Sequence, residues 1–440
     1  MGTIGFLFYL CELIEMNQSF SKPQPADPIP LEKWLRRTDR SESGRDAFFR
    51  GRDAEFDVFR NAVLSLDDGV IGGGTMIFQG APGAGKTALM LECMEAIRLR
   101  STSDDPWIAV NIKPENLESV AEVVMLLVDA ANAESRRLLE MTSDTGSNKM
   151  ESIMEIGRKV FRDLSERGFG IAGISVGGKA INDQEIRVFS QRFFQKAASL
   201  LKNFHIVAFV DEAQSTAVKD TTKGVLDCMH NPPDGISLVA AFFGLSDTEE
   251  VLRKCGFSRP PDERVVNLER LSHEEATEAI RSVFHAYDFS GTWQEREIWI
   301  EQLAKLSQGW PQHVNRVSVA ASRVIAANKN QVRGKLLEEA LKEGQKRKES
   351  YYASRLRSCS FEPSYYKKIA LAAKDTPNGI LSRSRLKGLI VPLLKDSETG
   401  FDNFLSNALH AGVLMEAKEI PHHYWIPIPS FSEYLRKLPV

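Results

Sequence analysis

Apolar positions change period part-way along the chain. In the first half they form short, continuous runs: 75–79 (TMIFQ), 107–111 (WIAVN), 206–210 (IVAFV) and 236–243 (ISLVAAFF). Such runs predict strands buried on both faces, as the strands of a parallel sheet are. Between them the period lengthens to that of a helix. Residues 87–100 carry Leu89, Cys93, Ala96 and Ile97 on one side, and 116–132 predict a second helix. Residues 133–203 predict a long, mostly helical excursion, interrupted at 168–178 by a glycine-rich piece that predicts a small β-hairpin with an apolar tip. From Leu268 onward the pattern is helical. Ser272 and Glu275 stand at the spacing of a capping box and open a helix over 273–287, with further helices over 293–307 and 311–327. Strands alternating with helices, then helices alone, predict an α/β core followed by an all-α domain.

The last eighty residues have their own pattern. Helices are predicted over 364–373, 382–394 and 401–411, the third stopped by Gly412. A hairpin built from 413–418 and 423–427 and a last helix over 430–437 complete the order of a winged helix. The third helix is two-faced: Phe401, Phe404, Leu405 and Ala408 face inward, while Asn403, Ser406, Asn407 and His410 share the other face. Asparagines so placed can read adenine edges in the major groove of duplex DNA. Lys367, Lys368, Arg383, Arg385 and Lys387 supply basic support, and residues 355–440 hold 12 Lys or Arg against 8 Asp or Glu. DNA readers more often place Arg or Lys on the third helix itself to meet phosphates, so packing on the core or binding a protein stays open beside DNA binding.

Composition narrows the setting. A chain of 440 residues can build two or three cores. Its net charge of −3 excludes a global attraction to nucleic acid, leaving only local patches. The five cysteines (Cys11, Cys93, Cys228, Cys255, Cys359) include no C-x-x-C pair, which points to reduced thiols in a cytoplasmic protein. Cys228 and His230 are close, but two ligands do not make a metal site. The apolar stretch 4–14 is too short to span a bilayer, contains Glu12 and has no basic flank, so no membrane role is expected. Met16 reads as a natural start, with residues 1–15 an upstream extension or minor docking segment. Residues 1–44, rich in Pro, Ser and charge beyond Met16, are expected to be poorly ordered.

The chemistry lies in two motifs. Gly80, Ala81, Pro82, Gly83, Ala84, Gly85, Lys86 and Thr87 spell GAPGAGKT, the phosphate-binding loop, set between a predicted strand and a predicted helix that continues through Ala88. Its glycines let successive N–H groups curl round an anion, Lys86 reaches the β- and γ-phosphates, and the Thr87 hydroxyl holds Mg²⁺. Asp211 and Glu212 close the apolar run 206–210, giving the Walker B pattern. The aspartate is placed for the metal and the glutamate for the attacking water. ATP or ADP with Mg²⁺ is the ligand expected.

Further boxes carry a resemblance. FRGRDAE at 49–55 is similar to the "GR-x-x-E" box ahead of the phosphate loop in AAA+ ATPases of the origin-recognition (ORC/CDC-type) group and in STAND signalling ATPases. The segment 244–252 resembles their sensor-1 strand end. Ser258-Arg259 before 265–268 resembles their "s-R", LSHEEA at 271–276 their entry to the helical lid, and GWPQH at 309–313 the lid's G-x-P motif. The resemblance spans 48–325. It implies Gly51 and Arg52 beside the adenine, Ser246 as sensor 1, Arg259 as an arginine finger for a neighbouring subunit, and Pro311 packed on the nucleotide. Arg253, Arg264 and Arg270 rival Arg259. Gln312 and His313 stand where ORC-type lids carry a sensor-2 arginine, with Arg316 one turn on; the G-x-P form leans towards a STAND-like switch.

The fold expected is α/β: a P-loop NTPase (AAA+) parallel-sheet core over 45–266, an all-α lid over 267–332, a charged connector over 333–359 and a C-terminal winged-helix domain over 360–440. The function expected is a slowly hydrolysing ATPase switch that couples nucleotide state to homo-oligomeric assembly, or to contacts of its last domain with duplex DNA or a partner protein. Alternatives are a DNA-binding initiator or transposition-type regulator, and the ATPase subunit of a defence or signalling complex whose effector is a separate protein.

Overall fold

The computed structural model describes residues 49–67, 74–141, scattered positions between 188 and 200, and 201–257, 262–286, 289–394, 398–417 and 420–439. All fall in one compact unit, Ser41–Val440. The extension 1–44, the hairpin predicted at 168–178 and Arg259 lie outside the described residues.

Five parallel strands form the central sheet: β1 (Gly74–Gln79), β2 (Trp107–Ile112), β3 (His205–Val210), β4 (Ser237–Gly244) and β5 (Val265–Asn267), in the order β2-β3-β4-β1-β5. Alternation along these strands divides the core in two. Met76, Phe78, Val207, Phe209, Val239, Ala241 and Phe243 point to one face. Ile77, Ile206, Ala208, Val210, Leu238, Ala240 and Phe242 point to the other. The first face is covered by α1 (Asp53–Asp67) and α2 (Lys86–Arg100), through Phe59, Ala62, Leu89, Cys93 and Ile97. The second is covered by α3 (Val120–Met141) and α4 (Asp220–His230), through Val123, Val124, Leu127, Val225 and Met229, and by Leu252 of α5 (Thr248–Lys254). Burial on both faces is why these segments read as unbroken apolar runs. The helix expected from 116 begins instead as a short 3₁₀ turn, Pro114–Glu118, and α3 runs on to Met141.

Three helices follow the sheet: α6 (His273–Ala286), α7 (Trp293–Ser307) and α8 (Pro311–Ala327). The capping box is formed, Ser272 N donating to Glu275 Oε2 at 2.6 Å and Glu275 N to Ser272 Oγ at 3.1 Å. Pro311 opens α8 at a position where its missing N–H costs nothing. The charged segment expected only as a connector is a single 24-residue helix, α9 (Gly334–Arg357), which runs along α8 and buries Lys348, Tyr351, Tyr352 and Leu356.

The C-terminal segment contains α10 (Pro363–Lys374), β6 (Leu381–Ser382), α11 (Arg383–Ile390), α12 (Glu398–His410), β7 (Met415–Glu416), β8 (His423–Trp425) and α13 (Phe431–Lys437). Its strands make an antiparallel sheet in the order β6-β8-β7. The helix expected over 382–394 ends early, because Pro392 has no N–H to continue it and the chain closes with a 3₁₀ turn, Val391–Leu393. Asn407 does not share an open face. Its Oδ1 accepts from Ser360 N at 3.2 Å and its Nδ2 donates to Ser360 Oγ at 3.1 Å. Asn403, Ser406 and His410 are exposed as expected.

Candidate nucleotide-binding site

The site lies at the carboxyl ends of β1, β3 and β4, beside the place where the strand order reverses around β1. The loop 80–87 leaves β1 and is tied down at its start, Gly80 N donating to Gly244 O of β4 at 3.1 Å. Gly83 and Gly85 take φ of +83° and +91°, in the left-handed region that side chains resist. Those values turn the loop back to enter α2. No side chain caps α2, and its first turn holds no acid. Its free N–H groups and positive dipole end therefore remain available to an anion.

Lys86 is buried, its Nζ donating to Gly80 O at 2.8 Å and Ala81 O at 3.2 Å. Burial pulls its pKa down to about 8; nearby Glu212 and Asp211 oppose this and Arg355 adds to it. An anion placed against Lys86 would favour its charged form. Thr87, exposed at the start of α2, donates from Oγ1 to Asp211 Oδ2 at 2.8 Å. One strand, β4, separates β1 from β3, and the first turn of α2 bridges that gap. Burial raises the Asp211 pKa, while the bonds it accepts from Thr87 and from Glu212 N oppose the rise. Among the described residues no group of three His, Cys, Asp or Glu side chains could hold a metal ion. Thr87 and Asp211 still suit Mg²⁺, which takes few protein ligands and completes its shell with phosphate and water.

Glu212 is exposed and adopts φ +52°, ψ +37°, an unfavourable backbone for a residue with a side chain. Its Oε2 accepts from Gln214 Nε2 at 2.5 Å, and Gln214 Oε1 accepts from Leu245 N at 2.9 Å. Buried Gln214 thus ties the acidic pair to the end of β4, just before Ser246. Sequence reasoning missed it, since a Gln two residues past the acids looks like any loop residue. Ser246 is half-buried beside that tether, and the N-cap of α5 is Asp247 rather than Ser246.

Arg52 is buried at φ +73° and binds two elements at once. Its guanidinium donates to Ala84 O of the loop at 2.9 Å, to Glu269 O after β5, and to Glu55 Oε1 at 2.7 Å. Gly51 lies against Glu275 of the capping box, where a Cβ would come within 2.8 Å of Oε1. Pro311 sits over the loop, 3.5 Å from where a Gly85 Cβ would stand. Gln312 N donates to Gly83 O at 3.1 Å. His313, by contrast, is fully buried against the Tyr351 and Tyr352 rings, its Nδ1 3.1 Å from Ser307 O, and burial drives its pKa down to about 3. A neutral imidazole cannot stand in for a sensor-2 arginine.

Two elements that sequence reasoning left out also reach the loop. Tyr351 of α9 donates its hydroxyl to Pro82 O at 2.7 Å. The turn after α12 packs on the loop as well, where a Cβ on Gly412, at φ +67°, would collide with the Pro82 ring. An open cleft of about 630 Å³ lined by Ser290, Thr292, Glu295 and Arg333 contains none of the predicted site residues.

Comparison with protein-family models returns no match, and comparison with curated proteins returns none. Among solved structures the chain is similar to a Walker-type ATPase of Pyrococcus abyssi, at 15% identity and TM-score 0.48, covering 89% of this chain and 99% of that one. It is similar to the ORC1 protein of Aeropyrum pernix in complex with DNA, at 10% identity and TM-score 0.45, covering 92% and 95%. It is also similar to the RuvB Holliday junction branch migration motor of Thermotoga maritima, at 13% identity and TM-score 0.40, covering 89% and 97%. The α/β P-loop fold follows from the molecule itself: the strand order β2-β3-β4-β1-β5, the phosphate loop after β1 and the acidic pair after β3.

Proposed function

We propose that this chain is a nucleotide-driven ATPase of the ORC/CDC-type or STAND-like AAA+ group, working as a slow switch. The observation that carries the reading is the 2.8 Å approach of Thr87 Oγ1 to Asp211 Oδ2 next to the buried Lys86. A phosphate cradle and a magnesium ligand pair are thereby brought together from segments 124 positions apart.

Lys86, the loop N–H groups and the start of α2 would hold the phosphates. Thr87 and Asp211 would hold Mg²⁺, which when bound neutralises phosphate charge. Glu212, oriented by Gln214, would align the attacking water and accept its proton. Gly51, Arg52 and Pro311 frame the base side of the cradle, and Ser246 the terminal-phosphate side. Helices α6 to α8 form the lid. In this reading the C-terminal segment is a winged helix whose contacts with a partner, with duplex DNA or with a second copy of the chain change with nucleotide state. Its packing on the phosphate loop through Gly412 supports coupling to the site.

Glu212→Gln should keep Mg·ATP affinity and stop turnover; normal turnover in that variant would refute the role of Glu212. A second reading, in which duplex DNA is the partner, draws on the exposed Asn403 and Ser406 of α12. Duplex DNA titrated into the ATPase reaction should then stimulate it more strongly as salt is lowered, and indifference at low salt would exclude DNA as the partner.

A further inference from the structure

Helix α9 touches the phosphate loop on one residue and the C-terminal segment on the next. Tyr351 donates its hydroxyl to Pro82 O at 2.7 Å, and a Cβ on Gly83 would come within 2.7 Å of the Tyr351 hydroxyl oxygen. Tyr352 turns the other way. Its hydroxyl donates to Pro429 O at 2.8 Å, and its ring stacks on Phe431 with centroids 5.2 Å apart. One turn further along the helix, Arg355 lies over the Tyr351 ring, Cζ 5.5 Å from the centroid. Arg316 of α8 lies over that ring as well, at 5.6 Å.

Arg355 has little else to do. Its Nε is buried with no hydrogen-bond partner, and among the described residues no carboxylate pairs with it. Through Tyr351, whose hydroxyl bonds Pro82 O, its guanidinium is held beside the phosphate loop. Arg355 and Arg316 thus both lie against the tyrosine that is bonded to the loop. An arginine fork is suited to binding phosphate oxygens in pairs.

We propose that Arg355, on the helix beyond the lid, contacts the terminal phosphate of a bound triphosphate, and that the Tyr351–Tyr352 step passes its presence to the C-terminal segment. The inference rests on the nucleotide reading above and adds to it the element that tells triphosphate from diphosphate. Arg355 takes the part for which Gln312 and neutral His313 are unsuited. Because Tyr351 and Tyr352 are consecutive on a rigid helix, a shift of α9 towards phosphate must move the contacts at Pro429 and Phe431 too.

The test is equilibrium titration of the full chain with ADP and with Mg·ATP, in a Glu212→Gln background that prevents turnover. Arg355→Ala should lower the ATP-to-ADP affinity ratio about tenfold or more, the cost of one charged hydrogen bond, with ADP affinity unchanged. Arg355→Lys should retain part of the ratio. Hydrogen exchange of residues 398–437 should differ between the ATP and ADP states in the parent, and should cease to differ in Arg355→Ala and in Tyr352→Phe. An unchanged ratio in Arg355→Ala, or an equal loss of ADP and ATP affinity, would overturn the inference and leave the nucleotide reading standing. A parent protein that binds neither nucleotide would remove both.

Discussion

Proton uptake on nucleotide binding should report the state of Lys86 directly. In the free chain its pKa is pulled down to about 8, chiefly by burial, with Arg355 contributing. The neutral amine is thus populated from mildly alkaline pH upward. At pH 8.5, half a unit above that value, about three quarters of the chains carry neutral Lys86, against about a tenth at pH 7.0. Phosphates placed against the amine favour its charged form and lift its pKa back up. Binding at pH 8.5 should therefore take up about 0.7 proton per nucleotide, and at pH 7.0 about 0.1. A terminal phosphate, with its second ionisation near pH 6, still holds about 0.1 proton at pH 7.0 and offsets the small uptake there, but holds almost none at pH 8.5, where the test is made. Isothermal titration of Mg·ATP in two buffers of different ionisation enthalpy measures the number. Arg355→Ala removes one cause of the depression and should reduce the uptake at pH 8.5. Zero uptake or proton release at pH 8.5, with binding intact, would refute the argument that Lys86 is held short of charge by the folded chain.

Other consequences can be checked separately. Gln214→Ala frees Glu212 and leaves Leu245 N without its acceptor, so kcat should fall by about tenfold or more while ADP affinity holds; unchanged kcat would show that Glu212 needs no tether. Asp211→Asn should largely abolish the gain in ATP affinity that Mg²⁺ brings, read by titration with and without the metal. His313 is neutral when folded, with a pKa near 3 against about 6.5 when unfolded, so the unfolded chain takes up its proton first. Its contribution holds above pH ~6.5 and is lost as pH falls towards 3, by about 1.4 kcal/mol between pH 7.5 and 5.5. Urea unfolding should show that much less pH sensitivity in His313→Leu than in the parent. Gly83→Ala must fit a Cβ against the Tyr351 hydroxyl at a φ of +83° and should cost about 1–3 kcal/mol, read in the same assay.

How much of this was legible in the sequence depended on the range of the interaction. The strands were readable because residues alternate between two buried faces, so every position from Ile206 to Val210 had to be apolar. The loop and acidic pair were readable because phosphate and metal chemistry restrict the residues allowed at each position. The capping box at Ser272 and Glu275 is a four-residue affair and formed as its spacing implied. Arg52 was found by its box, but its work as a clamp between Ala84 O and Glu269 O was not visible there. Helix α9 was the largest omission. Its charge masked the few positions that matter, and Tyr351 meets Pro82 across 269 residues. Asn407 misled for a similar reason: nothing in its helix announces that Ser360 arrives to occupy it.

The central claim is that the Gly80–Thr87 loop, completed by Asp211, binds a nucleoside triphosphate. Equilibrium titration of the full chain with Mg·ATP, beside Lys86→Ala, tests it most directly. The account predicts one saturable site in the parent, weakened by at least about tenfold in the variant. Absence of saturable binding in the parent, or equal affinity in Lys86→Ala, would contradict it.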